Sequence, residues 1–97
     1  MIKHIVCFKL KEGESCEKAK EVLLSMQGNV PMLRDIEVGL DCLHSPRSYD
    51  VYLSVLLDDM DALDAYQKDA YHVGVVKKHM HAVAASSVAL DFPVSEN

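Results

Sequence analysis

Four segments of the chain alternate between hydrophobic and polar residues, with the period of two that a half-buried β-strand produces. They are residues 2–10, 35–43, 49–59 and 82–92. The third segment, YDVYLSVLLDD, is the richest in β-branched and aromatic residues and is therefore the strongest strand prediction. Neither face of the first segment is fully polar, because Ile5 and Cys7 alternate with its lysines.

Two other regions carry apolar residues at helical spacing instead. In the first, residues 15–27, an apolar residue recurs every three or four positions, and Gly28 suits the left-handed residue that ends a helix. The second, residues 60–80, divides into two short helical stretches. The later stretch begins near Ala70, and Gly74 weakens it by about 1 kcal/mol relative to alanine.

These predicted elements follow one another in the order β-α-β-β-α-β within a chain of 97 residues. A chain of this length suits one domain with a single modest core. That order in one domain predicts an α+β, ferredoxin-like fold, in which a four-stranded antiparallel sheet carries both helices on one face. We assign residues 1–93 to this domain and residues 94–97 to a C-terminal tail that follows Pro93.

The predicted sheet has apolar residues on both faces, although two helices cover only one of them. In the first strand, Ile5 and Cys7 lie on the face opposite Val6 and Phe8. An uncovered apolar sheet face marks an interaction surface. Two such faces that pair about a two-fold axis bury each other. The sequence therefore predicts a homodimer that forms through the sheet face.

Composition and charge exclude several classes of protein. The formal net charge of −5 argues against a nucleic-acid partner, because phosphate binding requires a clustered basic surface. No apolar run approaches the roughly 20 residues that cross a bilayer, and residues 1–13 lack the continuous apolar segment of a signal peptide. The 3 cysteines form no C-x-x-C motif and suit a reducing compartment. We therefore expect a cytoplasmic protein with no membrane partner.

Histidines are concentrated in the segment YQKDAYHVGVVKKHMH, residues 66–81, although the whole chain has only 5 of them. Histidine is both a base near neutral pH and the commonest metal ligand. Compact zinc sites place two ligands about three to five residues apart, a spacing that His72 and His79 do not have. We therefore expect no metal and no cofactor. We interpret Lys77, His79 and His81 as residues of a helix end and its connection.

Three segments, KHIVCFKLKEG, LDAYQKDAYHVGVVKK and VALDF, resemble those of the stress-responsive A/B barrel family. The resemblance covers residues 1–92, and the order and spacing of the three segments make it specific. It implies a ferredoxin-like fold and a dimer whose two sheets close into a barrel. It also implies a small cavity between each sheet and its own helices.

The same resemblance implies which residues line that cavity. His4 matches the histidine of the family's first strand, and Tyr66 and His72 match its tyrosine–histidine pair. In a plant polyketide cyclase of the family, the matching tyrosine and histidine perform acid–base chemistry. A neutral histidine takes a proton from an acidic carbon or phenol, and a tyrosine hydroxyl stabilises the resulting oxyanion. His4, Tyr66 and His72 are therefore the candidate catalytic or pocket residues.

The sequence also departs from the family pattern in places. Asp69 and Ala70 stand where the family has a histidine–proline pair. Leu23 replaces a pocket tyrosine of the cyclase, and Val51 replaces one of its histidines. We expect a protein that binds a small aromatic or carbonyl compound. The alternatives are a cofactor-independent enzyme, cyclase-like or monooxygenase-like, and a structural stress-associated dimer without chemistry.

Overall fold

Four antiparallel strands form one sheet in the computed structural model, which describes residues 1–95. The strands are β1 (Ile2–Leu10), β2 (Asp35–Leu40), β3 (Val51–Leu57) and β4 (Ala84–Pro93). Their order across the sheet is β2-β3-β1-β4, so β3 and β1 are the central strands, and the longest pairing joins β1 to β4. This topology confirms the predicted ferredoxin-like fold. Residues 96–97 of the predicted tail lie outside the described residues.

The helices are α1 (Cys16–Leu24), α2 (Met60–Lys68), a π-helix (His72–Lys77) and α3 (Lys78–Val83). Ser15 caps α1, because its hydroxyl accepts a hydrogen bond of 3.0 Å from the backbone N–H of Lys18. Asp59 caps α2 in the same way through the N–H of Ala62, at 2.8 Å. Among the described residues, no helix has the length and apolar character that crossing a bilayer requires.

Several predicted boundaries are wrong at the ends of elements. The strand predicted over residues 35–43 ends at Leu40, since Asp41 accepts a hydrogen bond of 2.7 Å from the N–H of His44 and turns the chain. His44 adopts a positive φ of 56° in this turn. The helix predicted over residues 15–27 is α-helical only to Leu24. In these turns, local hydrogen bonds compete with the regular hydrogen bonds of the strand and of the helix, and so end both elements early.

The later part of the second helical region is a π-helix, which the sequence does not predict. Asp69 leaves the helical conformation with a ψ of 132° and ends α2. Its side chain then accepts a hydrogen bond of 3.0 Å from the N–H of His72, where the π-helix begins. Gly74 and its neighbouring valines have low α-helix propensity, so tertiary packing decides the geometry of this segment.

The hydrophobic core lies between the sheet and the helices. Thirteen buried apolar residues form it: Leu10, Ala19, Leu23, Met26, Val30, Val51, Leu53, Val55, Leu57, Tyr66, Val76, Met80 and Val83. Alternation along β3 directs Val51, Leu53 and Val55 inward. In the register of β1 with β3, His4 pairs with Val55, so this histidine also faces the helices. It is only 7% exposed.

Strand β4 carries its large apolar residues on the outer face of the sheet, whereas β3 carries them on the face toward the helices. His4 pairs with Asp91 and Val6 with Ala89, so these β4 residues face the helices. The alternate β4 residues, Val88 and Leu90, point to the outer face and are 50% and 61% exposed. The inner side of β4 is therefore small and polar, and its outer side is apolar.

Two glycine substitutions test the backbone conformations described above. A Cβ added at Gly74 or at Gly28 meets no atom within 4 Å, but only Gly28 has a positive φ, of 86°. We expect Gly74→Ala to raise the free energy of unfolding by about 1 kcal/mol, because alanine favours the helical state. We expect Gly28→Ala to lower it by about 1 kcal/mol. Urea unfolding followed by circular dichroism measures both changes in the free energy of unfolding. If both substitutions changed it in the same direction, the backbone conformations described for Gly74 and Gly28 would be contradicted.

Candidate functional site

A cavity of about 200 Å³ lies between the inner face of the sheet and the helices. Its apolar wall consists of Val6, Phe8, Leu23, Leu53, Val76, Met80 and Ala89. Its polar wall consists of His4, Tyr66, Gln67, His72, Lys77, His81 and Ser87. The three residues that the sequence singled out, His4, Tyr66 and His72, therefore lie around one space. Leu23, where the cyclase has a tyrosine, is part of the same wall.

Tyr66 and His72 are held against each other by the break between α2 and the π-helix. Their rings stack with centroids 4.1 Å apart and an interplanar angle of 19°. The ring of His72 donates from Nδ1 to the backbone carbonyl of Tyr66 across 2.9 Å. Asp69 accepts from the His72 N–H and so positions the start of the π-helix. The turn between the two residues thus fixes both side chains.

The hydrogen bond from His72 determines its tautomer. A carbonyl oxygen only accepts, so Nδ1 of His72 must carry the proton, and in the neutral ring Nε2 is the acceptor. Among the described residues Nε2 has no hydrogen-bond partner. Burial lowers the pKa of His72 below its usual value, although the bond to the Tyr66 carbonyl opposes this effect. His72 therefore presents a neutral, unoccupied acceptor beside the cavity at neutral pH.

The hydroxyl of Tyr66 is the second polar group at this point. The residue has an exposed fraction of 0%, and its hydroxyl donates only a long bond of 3.8 Å to the sulfur of Met26. Burial raises the pKa of Tyr66, and the negative charge of Asp69 adds to this effect. The hydroxyl consequently stays protonated as a donor, and its present partner is a weak acceptor.

His4 completes the set from the opposite side of the cavity. Its ring meets that of Tyr66 edge-on, with centroids 5.7 Å apart and an interplanar angle of 64°. Nδ1 of His4 forms a hydrogen bond with the carboxylate of Asp91, its partner in the β1–β4 register. The carboxylate holds the imidazole in one orientation and leaves its Nε2 as the remaining ring nitrogen.

Sequence reasoning did not assign five polar residues to the site: Asp91, Gln67, Lys77, His81 and Ser87. Asp91 had a detectable signal, because alternation places it on the face opposite Leu90, where an acid needs a partner. Gln67 had none beyond its position next to Tyr66. Lys77 and His81 lie in the last turns of the π-helix and of α3, as the sequence indicated, and both also line the cavity.

The sulfur and histidine residues outside the cavity do not form a second site. Among residues 1–95, no group of three or more histidine, cysteine, aspartate or glutamate side chains is arranged to hold a metal ion. Cys16 lies at the start of α1, where a helix favours a thiolate. Its pKa is nevertheless raised, by burial and then by the charge of Asp50. Cys16 is therefore an ordinary thiol.

The lowered pKa of His72 predicts a pH-dependent stability. Between that lowered pKa and the unfolded value of about 6.5, the unfolded chain binds more protons, so stability falls as pH drops through this window. His72→Asn keeps a donor near the Nδ1 position and removes the titrating ring. We expect it to lose less stability than the wild type between about pH 7.5 and pH 5, as measured by urea unfolding.

His44→Asn is the matched control for this experiment. His44 has an exposed side chain, and asparagine tolerates its positive φ of 56°. We expect this variant to follow the wild type at both pH values. A His72→Asn protein that loses as much stability as the wild type would contradict the assigned protonation state.

Solved structures share this fold across nearly the whole chain. A dimeric ferredoxin-like protein of unknown function from Thermobifida fusca superposes with a TM-score of 0.83 at 24% identity, covering 96% of this chain and 90% of that one. The hydroxynitrile lyase of Passiflora edulis superposes with a TM-score of 0.74 at 16% identity, covering 99% and 94% of the two chains. At these identities the comparison shows the fold alone.

Sequence comparison gives the family. An uncharacterized protein of Streptomyces coelicolor is 31% identical over 81 residues, which are 77% of this chain and 84% of that protein. The model of the Stress responsive A/B Barrel Domain matches residues 2–94. The resemblance in the three sequence segments is thereby confirmed. The chain belongs to the stress-responsive A/B barrel domain family.

Proposed function

We propose that the protein is a cytoplasmic homodimer whose cavity binds a small aromatic or carbonyl compound. The observation that carries the proposal is that an acceptor, Nε2 of His72, and a donor, the Tyr66 hydroxyl, lie together at a cavity whose opposite wall is apolar. A ligand that donates to Nε2 and accepts from the Tyr66 hydroxyl gains two hydrogen bonds inside a low-polarity space. Three free cysteines in the described chain support a reducing compartment.

The size of the cavity limits the ligand to about one ring. An apolar cavity of about 150 Å³ accommodates benzene, and this one measures about 200 Å³. Phe8, Leu23 and Leu53 give it an apolar wall suited to a planar ring. A single aromatic ring with one or two small polar substituents therefore fits both the volume and the lining.

The polar wall indicates which substituents are recognised. A phenol or enol hydroxyl donates to Nε2 of His72, which is already an acceptor. The Tyr66 hydroxyl donates to a ligand oxygen at little cost, because it gives up only the long bond to the sulfur of Met26. A ligand that donates a hydroxyl hydrogen bond to His72 and accepts one from Tyr66 is a hydroxylated aryl ketone or a similar compound.

The outer face of the sheet supports the homodimer. Val88 and Leu90 expose apolar side chains there, and Ile5 pairs with Leu90 in the β1–β4 register. Covering this face with a second copy removes the apolar surface from water. The related T. fusca protein is dimeric, and its shared fold offers the same sheet face for pairing. A structural dimer that binds no ligand would form through the same face, so the dimer does not by itself support ligand binding.

We expect 4-hydroxyacetophenone to bind the wild type and to bind His72→Asn about tenfold more weakly, because the variant lacks the acceptor for its hydroxyl. The methoxy analogue cannot donate and should bind both proteins equally. Tyr66→Phe should also weaken binding, while its free energy of unfolding stays within about 1 kcal/mol of the wild type. Titrations followed by NMR chemical shifts measure these affinities.

Two results would contradict the proposed binding site. One is the absence of binding to the wild type at millimolar concentration, which would favour a structural dimer. The other is equal affinity of the wild type and folded His72→Asn for the hydroxy compound.

Acid–base catalysis is a second candidate function, and the tautomer of His72 favours it. A neutral Nε2 accepts a proton from a carbon beside a carbonyl, and the protonated Tyr66 hydroxyl stabilises the enolate oxygen. In deuterated water, the methyl hydrogens of acetophenone, which has no hydroxyl to compete for Nε2, report this reaction by exchange. If exchange is about a hundredfold faster in the wild type than in His72→Asn, acid–base catalysis by His72 is established. Equal exchange would leave a binding protein.

A substitution on the outer face tests the dimer. We expect the wild type to sediment as a dimer at micromolar concentration and Leu90→Glu to sediment as a folded monomer, because the new charge would be buried in the interface. Leu43→Glu is the control, since Leu43 is 75% exposed in a loop away from this face. A wild type that sediments as a monomer, or a Leu90→Glu dimer, would overturn the prediction.

A further inference from the structure

We propose that the ligand of the cavity is an anion, specifically a small aromatic carboxylate, whose charged group is held by Lys77 at the mouth. The inference rests on the proposed function, because it assumes that a ring occupies the apolar part of the cavity. It adds the charge of the ligand and the residue that recognises it.

The π-helix places Lys77 on the cavity side. In an α-helix each residue turns by about 100°, so a residue five positions after His72 would lie about 140° around the axis. The π-helix bonds residues five apart, so five positions make somewhat more than one full turn and bring Lys77 closer to the side of His72 than an α-helix would. His72 and Lys77, at its two ends, consequently line the same cavity.

Lys77 is only partly exposed and has no anionic partner. Elsewhere Lys68 pairs with Asp64 at 2.9 Å, and Lys9 lies 3.5 Å from Asp50. Within residues 1–95, Lys77 forms neither an ion pair nor a side-chain hydrogen bond. A partly buried ammonium at a cavity is stabilised by a counter-ion, and here the described chain supplies none.

The groups around Lys77 favour an anion at the mouth. His81 and Gln67 line the same cavity, and both offer N–H donors. Among residues 1–95, the carboxylates of Asp91 and Asp69 contact His4 and the N–H of His72, and neither lines the cavity or pairs with Lys77. The whole chain carries a charge of −5, so attraction of an anion must come from this local group.

Benzoate and benzamide provide a matched test, because they differ mainly in charge. We expect the wild type to bind benzoate about tenfold more tightly than benzamide in NMR titrations at low salt. Lys77→Met should abolish the difference by weakening only benzoate, and Lys77→Arg should retain it. Lys78→Met, which removes the neighbouring exposed lysine, should behave as the wild type. Added salt should weaken benzoate more than benzamide.

The outcomes separate this inference from the proposed function. If both compounds bind equally and Lys77→Met changes neither, the preference for an anion is overturned while the aromatic cavity stands. If benzoate binds more tightly but Lys77→Met leaves that preference intact, the assignment to Lys77 is overturned. If neither compound binds the wild type and 4-hydroxyacetophenone also fails, the proposed function and this inference are overturned together.

Discussion

The period of two along strand β1 is the constraint on which the rest of the structure depends. Successive side chains point to opposite faces, so one strand supplies His4, Val6 and Phe8 to the cavity and Ile5 to the outer surface. A slip of one residue would exchange the two sets and destroy both surfaces. Its pairing with β3 on one side and β4 on the other fixes this register. The core, the cavity and the apolar outer face therefore follow from a single alignment.

The break between α2 and the π-helix determines the chemistry of the cavity. At the break, the Tyr66 carbonyl accepts from the N–H of Asp69 across 3.2 Å and also from the ring of His72. That bond fixes the tautomer, and burial keeps the ring neutral. The π-helix that follows then returns Lys77 to the same side. A local loss of α-helical geometry thus creates a site with an acceptor, a donor and a cation.

Prediction from the sequence succeeded where one local rule acted alone. The alternation in residues 49–59 predicted β3, and Ser15 marked the start of the first helix. It failed where two rules competed. Side-chain capping by Asp41 ended β2 early, and Asp69 divided the second helical region. Tyr66 and His72 were identified by family resemblance, because nothing in their spacing requires their rings to meet.

By itself, then, the sequence determined the order of elements, the fold and the two-sided character of the sheet, since these follow from short-range periodicity and chain length. Only the tertiary structure decided that Asp91 binds His4, two residues 87 positions apart, and that Lys77 reaches the cavity. Such contacts depend on strand register and helix geometry, which packing of the whole chain settles. Periodicity specifies which face a residue occupies, but it does not specify which residue it meets there.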